Sequence, residues 1–329
     1  MNKSSTSPST ICLNKLGLMF RNVKLLIIWL FFFFMPSFVN NILAQTTVTF
    51  DREYWLALPT TSVTYRAGSA FRISTFDQAA TVTLSAPLIP GILPKTVTLA
   101  PNSTGNIFLT DEEVAQLTND GGNTVASTGV RIETNARISI YYEPGSLSAS
   151  PDLVPLKGSQ ALGTEFQVPM QQETPVNPGS SHGYLILATE DNTTITITPK
   201  TDIVGHSAGV PFAVTLQRGQ TYFAQTIGIQ PSLSGSMVTS DKPVTITIYS
   251  ELMSYLSPSG AGAADLGAEQ LVPIKNIGTD YIIIRGYRNP ADVVYFTAVE
   301  DGTQITVNGT PVATLNATET YTLYTQSTD

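Results

Sequence analysis

Leu185-Ile186-Leu187-Ala188-Thr189-Glu190-Asp191-Asn192 runs into Thr194-Ile195-Thr196-Ile197: an alternating apolar run, a polar turn and a second alternating run. The same phrase stands at four other places. Phe71-Arg72-Ile73-Ser74-Thr75-Phe76-Asp77 leads into Thr81-Val82-Thr83-Leu84, and Val130-Arg131-Ile132-Glu133-Thr134-Asn135 into Ile138-Ser139-Ile140-Tyr141. Met237-Val238-Thr239-Ser240-Asp241 leads into Val244-Thr245-Ile246-Thr247-Ile248, and Tyr295-Phe296-Thr297-Ala298-Val299-Glu300-Asp301-Gly302 into Gln304-Ile305-Thr306-Val307. The turn residues Asp77, Asn135, Asp191, Asp241 and Asp301 fall about 50 to 60 positions apart, a period of architectures built from one supersecondary unit. Strict alternation of Thr or Ser with Ile or Val puts one face of each strand toward a core and one toward water. The expectation is an all-β chain of repeated antiparallel β-hairpin units.

Two kinds of linking strand alternate between these phrases. One opens on a Gly-x-acid-aromatic group, Gly163-Thr164-Glu165-Phe166 and Gly278-Thr279-Asp280-Tyr281, with Arg52-Glu53-Tyr54-Trp55 as an earlier relative. The other includes Thr96-Val97-Thr98-Leu99, Val214-Thr215-Leu216 and Thr314-Leu315. Leu153-Val154-Pro155-Leu156 and Leu271-Val272-Pro273-Ile274 precede the first kind. Shared order of separate landmarks marks an internal duplication of about 110 residues with halves of about 55. Two arrangements accommodate it. Even spacing of the phrases favours blades ringing an axis, a β-propeller-like fold; alternation of two link types favours tandem β-sandwich repeats. The even spacing takes precedence here, with the sandwich as the alternative. Helical periodicity is confined to Asp111 to Leu117, where Glu112 and Glu113 near the start suit the helix dipole. A further hairpin is expected after Thr322-Leu323-Tyr324-Thr325, so the repeated domain, residues 45–329, reads as cut short at its C-terminal end.

Residues 1–44 stand apart. Lys3, Lys15, Arg21 and Lys24 are their only charges, Leu25 to Met35 is a continuous apolar run, and Ala44 precedes Gln45 at a small-residue cleavage site. That order is a secretory signal peptide, too short in its apolar part to span a bilayer. Membrane contact is then limited to export. Without those four basic residues, 13 Lys+Arg face 25 Asp+Glu, a formal charge of −12, which removes nucleic acid as a partner. The one cysteine, Cys12, lies in the leader, so the mature chain has no disulfide and no cysteine metal site. Its size supplies enough core without them.

Catalytic chemistry is sparse. His182 and His206 both lie in Gly/Ser/Pro-rich surroundings without a nucleophile motif beside them, so a serine–histidine–acid site has no support. The acid pairs Glu190-Asp191 and Glu300-Asp301 repeat with the period, which makes turn chemistry their simplest role; a glycosidase needs one special pair. Ca2+ is the one conceivable ion, through Asp191, Asn192 and Thr193 or Asp301 and Thr303, although no complete calcium loop is present. The four Asn-x-Thr/Ser matches, Asn308-Gly309-Thr310 among them, follow from composition. A Gly/Ala/Ser-rich loop from Tyr255 to Gly267 is longer than its first-repeat counterpart, Gly145 to Asp152. Tyr255, Leu256 and Asp265 are its candidate ligand contacts, Tyr255 and Leu256 as an apolar anchor; the simpler role is a connector between units.

The phrases Leu162-Gly163-Thr164-Glu165-Phe166, Ala188-Thr189-Glu190-Asp191-Asn192, Leu216-Gln217-Arg218-Gly219-Gln220-Thr221-Tyr222, Ser240-Asp241-Lys242-Pro243-Val244 and Glu269-Gln270-Leu271-Val272-Pro273 occur in this order. Together they resemble the amino-terminal domain of the IgG Fc-binding protein family, over Phe50 to Thr325. The resemblance implies a secreted or cell-surface binding or adhesion module without catalysis, with an extracellular protein or glycan as partner. Two other classes stay open: a carbohydrate-active enzyme using loop carboxylates, and a structural stalk for a further C-terminal domain.

Overall fold

The two strands of each repeated phrase do not pair with each other. In this computed structural model, which describes residues 51–59, 66–92, 94–145, 152–170, 182–226, 232–253, 256–257, 260–261, 265–284 and 293–325, the two halves of each first-repeat phrase belong to two different sheets, whereas both second-repeat phrases lie in one eight-stranded sheet. The first repeat contains β1 (Glu53–Leu56), β2 (Ala70–Thr75), β3 (Ala80–Ser85), β4 (Lys95–Leu99), β5 (Thr104–Phe108), the helix α1 (Asp111–Gln116), β6 (Val125–Ala126), β7 (Val130–Thr134), β8 (Ile138–Glu143) and β9 (Val154–Pro155). One sheet has the order β1-β7-β3-β4, the other β5-β2-β8-β9. Phe71 and Ile73 of β2, Val82 and Leu84 of β3, Ile132 of β7 and Ile140 and Tyr142 of β8 meet in a single buried core. A Thr110–Glu113 capping box starts α1, as acids in its first turn suggested: the Thr110 hydroxyl takes the Glu113 N–H and the Glu113 carboxylate takes the Thr110 N–H.

The second repeat has the same strand order within one continuous eight-stranded sheet, which also takes in β6: β10 (Gly163–Val168), β11 (His182–Ala188), β12 (Thr193–Thr198), β13 (Phe212–Leu216), β14 (Thr221–Gln225), β15 (Ser236–Met253) and β18 (Asp265–Gln270), with β16 (Leu256–Ser257) and β17 (Gly260–Ala261) as a separate two-stranded ladder. The long β15 does alone what β7 and β8 do together. Its first half pairs with β10 and β12, its second with β11 and β18. The corner has the same length in both repeats, since Thr134 opposite Val82 corresponds to Ser240 opposite Ile195. It is closed by the same bond: Asn135 Oδ1 accepts the Thr81 N–H at 2.8 Å, and Asp241 Oδ1 accepts the Thr194 N–H at 2.8 Å. The duplication read from the landmarks is therefore a duplication of register.

A third repeat contributes β19 (Val293–Thr297), β20 (Thr303–Val307), β21 (Thr310–Leu315) and β22 (Thr320–Tyr324). β19 pairs with β22 in the register of β11 with β14, and β20 with β21 in that of β12 with β13 from Thr303 to Ile305, after which the register shifts. Here the true hairpin turn is Asn308-Gly309, both at positive φ (49° and 79°). That pair matches strand twist in a two-residue loop. In Asp301-Gly302 only Gly302 has positive φ (74°). The all-β, repeated, antiparallel reading holds. Of the two arrangements considered, the first repeat is a two-sheet sandwich and the second a single eight-stranded, nearly closed sheet; no ring of blades is traced among the described residues.

Successive repeats lock together through the outer faces of their sheets. Trp55 and Ala57 of β1 pack with Leu185, Leu187, Phe223 and Tyr249 of the second repeat. The loop after α1 crosses over, and β6 adds to β14 as an edge strand. Asn123 Oδ1 accepts from the Tyr222 hydroxyl at 2.8 Å and lies 3.1 Å from His206 Nε2, while His206 stacks on Phe212. The next junction uses the corresponding strand with polar chemistry: Gln167 Nε2 donates to Ala298 O at 2.6 Å, and Ser234 Oγ lies 3.0 Å from Thr297 Oγ1.

Candidate functional site

Strand β15 continues beyond the ladder that its counterpart β8 completes. In the first repeat Tyr142 pairs with Val154; at the equivalent position Ile248 pairs with Glu269, closing a segment nine residues longer. The extra length is a β-hairpin arm. Past a register shift between Ser250 and Met253, Met253 still faces Asp265, and β16 pairs with β17 at Leu256↔Ala261 and Ser257↔Gly260.

The expected contact residues fall on this arm. Leu256 opens β16 and Asp265 opens β18. Tyr255 lies outside the described residues. The simpler role considered for the segment, a connector between units, is corrected: it joins two neighbouring strands of one repeat, and the link to the third repeat begins after β18.

At the arm's base, β11 and β15 place His182 opposite Ser250, with His182 Nδ1 2.6 Å from Ser250 Oγ. The sequence set His182 in a loop; it is the first residue of β11. Burial holds its imidazole below the ordinary range, with the nearby Glu251 carboxylate working the other way. Thr226 donates both its backbone N–H and its hydroxyl to His182 O. This juxtaposition of His, Ser and Glu escaped the sequence reading because the residues sit 68 and 69 positions apart on strands whose pairing was assigned elsewhere. Ser250 is only 2% exposed. The pair is therefore a polar support under the arm rather than a presented nucleophile.

The carboxylates singled out earlier serve the turns. Asp191 Oδ1 accepts the Arg218 N–H at 3.0 Å, and Asp301 Oδ1 accepts the Ala317 N–H at 2.9 Å. Thr193 and Thr303 hydroxyls donate to Glu190 O and Glu300 O at the same places. Glu113 is held by Thr110 and Lys95. Among the described residues no three His, Cys, Asp or Glu side chains are grouped closely enough to hold a metal ion.

A family model described as IgGFc binding protein matches residues 153–329, just over half of the chain, and the chain belongs to that family. The match opens at Leu153, so it covers the second and third repeats. The first repeat lies outside that match; what it shares with the second is strand order and register. No curated protein and no solved structure matches the chain.

Proposed function

We propose that this chain is a secreted or cell-surface adhesion module that holds an extracellular protein partner without catalysing a reaction on it, and that the arm from β15 to β18 is its contact element. Membership in a family of binding proteins supports the class. The single observation that carries the placement is the arm itself: two repeats share strand order, register and corner bond, and then depart from each other at this hairpin. Binding surfaces concentrate on segments that vary over a fixed scaffold. Here the shared positions are committed to core and corners. Immunoglobulin Fc is the first ligand to examine because the family's description names it, and a mucin glycan is the second. Export would follow from removal of residues 1–44, with Gln45 first in the mass of the released product.

The test is binding of the full chain to immobilised IgG Fc and mucin, beside a variant in which residues 254–264 are replaced by a two-residue Asn-Gly turn. Loss of binding at least tenfold in Kd, with unchanged thermal unfolding, is expected for the variant. Equal binding by both proteins would remove the arm from the contact surface. Hydrolysis of the mucin by the purified chain would favour the enzyme class instead.

A further inference from the structure

The return strand of the arm is fastened to the first repeat. On one side β18 pairs with β15, with Tyr249 opposite Ala268 and Thr247 opposite Gln270. Three consecutive residues of β18 also meet the chain that leaves the first repeat. The Ala268 N–H donates to Asp152 Oδ2 at 2.6 Å. Lys157 Nζ donates to Glu269 Oε1 and to Gln270 O. The Gln270 carboxamide, on a residue 1% exposed, spans the boundary: its Oε1 accepts the Lys157 N–H at 2.8 Å and its Nε2 donates to Trp55 O at 2.7 Å. Ala268 packs against the core of the first repeat and against the Trp55 cluster at once.

The arm has a physical need for this attachment. The register shift between Ser250 and Met253 stands at its root, and such an irregularity bends a strand and raises its twist. A two-stranded ladder has little stability of its own. Beyond the shift, the arm's direction therefore follows whatever holds the rungs below it, from Thr247–Gln270 to Ser250–Gly267. On β15 those rungs are held by β11, which sets Leu185 opposite Thr247 and His182 opposite Ser250. On β18 they are held by Asp152, Lys157 and the Trp55 carbonyl. In the first repeat the position of Gln270 is taken by Pro155, opposite Tyr141, whose ring offers neither donor nor acceptor; there the connection is shorter and carries no such arm.

We infer that the first repeat is part of the binding unit, with Gln270 as the positioning residue that sets the arm's direction and Asp152 and Lys157 as its supports. The inference rests on the reading of the arm as the contact element. A contact element held in place before its partner arrives loses less freedom on binding. Two of the anchors, Trp55 and Asp152, precede Leu153, where the family match opens.

The experiment follows amide hydrogen exchange in the full chain together with binding to whichever of immobilised IgG Fc and mucin the wild type holds. Gln270→Leu keeps the side chain's bulk and removes both amide bonds. Exchange at Thr247–Ser250 and Gly267–Gln270 is expected to rise about tenfold and Kd to weaken about tenfold, with Ala70–Thr75 unchanged. Lys157→Met should act in the same direction, whereas Lys157→Arg, which keeps the charge and its donors, should retain both readouts. Asp152→Ala changes a half-buried site outside both sheets, and should speed exchange at Ala268 even if Gln270→Leu disturbs the fold. Unchanged exchange in Asp152→Ala and Lys157→Met would overturn the inference whatever the ligand. So would arm-dependent binding that Gln270→Leu and Lys157→Met leave intact. Equal binding by the wild type and the arm-shortened variant is a different failure: it removes the contact role itself, and this inference with it.

Discussion

Replacing Trp55 with Ala should uncouple the first two repeats rather than merely weaken the first. The indole is 4% exposed, yet its apolar partners Leu185, Leu187, Phe223 and Tyr249 all belong to the second repeat. The guanidinium carbons of Arg131 and Arg218, one from each repeat, lie 5.7 and 5.3 Å from its ring centre. Its N–H donates to Glu53 Oε1 at 2.8 Å, which also receives Arg131 Nε at 2.7 Å. Burial pushes the Glu53 carboxyl up, but Arg131, Trp55 and Arg218 outweigh it and hold the group below its usual range. Burying an indole of roughly 200 Å² at about 25 cal/mol per Å² gives an upper figure of about 5 kcal/mol. Measured Trp-to-Ala losses of about 3–5 kcal/mol agree in scale, and the two half-exposed cation–π contacts overlap with that sum rather than adding fully. A loss of about 4 kcal/mol from the junction should split one unfolding transition into two in calorimetry, with Trp55→Phe intermediate. A single transition displaced by less than about 1 kcal/mol would refute the assignment of Trp55 to the junction.

Backbone and charge predictions follow from single residues. Thr318 sits at φ 69°. Such a conformation costs a β-branched residue about 1–2 kcal/mol. Thr318→Gly should therefore stabilise the third repeat by about 1 kcal/mol, despite losing an exposed hydrogen bond from Lys200; a denaturant midpoint that falls would count against this. Gly302 is the reverse case, at φ 74° with open space around its missing side chain. Gly302→Val should cost about 1 kcal/mol through the backbone alone, read by the same melt. Burial lowers the His182 pKa below its unfolded value of 6.5. The unfolded chain then binds the extra proton first as pH falls, so stability is fully present above pH 6.5 and declines below it until the folded value is reached. His182→Gln should flatten that part of the profile, and an unchanged slope would assign it to another group.

Repetition was legible because it lives in composition and order, which survive without coordinates. The arches were not, and the reason is physical. A hairpin and an arch share alternation, turn residues and length; they differ in whether the two strands exchange backbone bonds or face each other across a core. That choice is made by distant partners. Asn135 closes onto Thr81 across 54 positions and Asp241 onto Thr194 across 47, and neither distance leaves a mark on the local sequence. One local signal did exist: Asp241-Lys242-Pro243 places a residue without an N–H inside what would have been a paired turn. The arm was found by comparing repeat lengths, since excess length needs no knowledge of pairing. His182, Ser250 and Glu251 were missed because the arch assignment sets which strand lies beside β11.

The two junctions show how one scaffold can be tuned without altering its register. Trp55 and Gln167 occupy the same position on the first strand of their repeats, and each reaches the outer face of the next repeat. Against Trp55 stand Leu185 and Leu187; against Gln167 stands the backbone of Ala298, with Thr297 beside it bonded to Ser234. An apolar junction gains with buried area, whereas a polar one returns only about 1 kcal/mol per bond after desolvation. The third repeat should therefore open before the first two as denaturant rises.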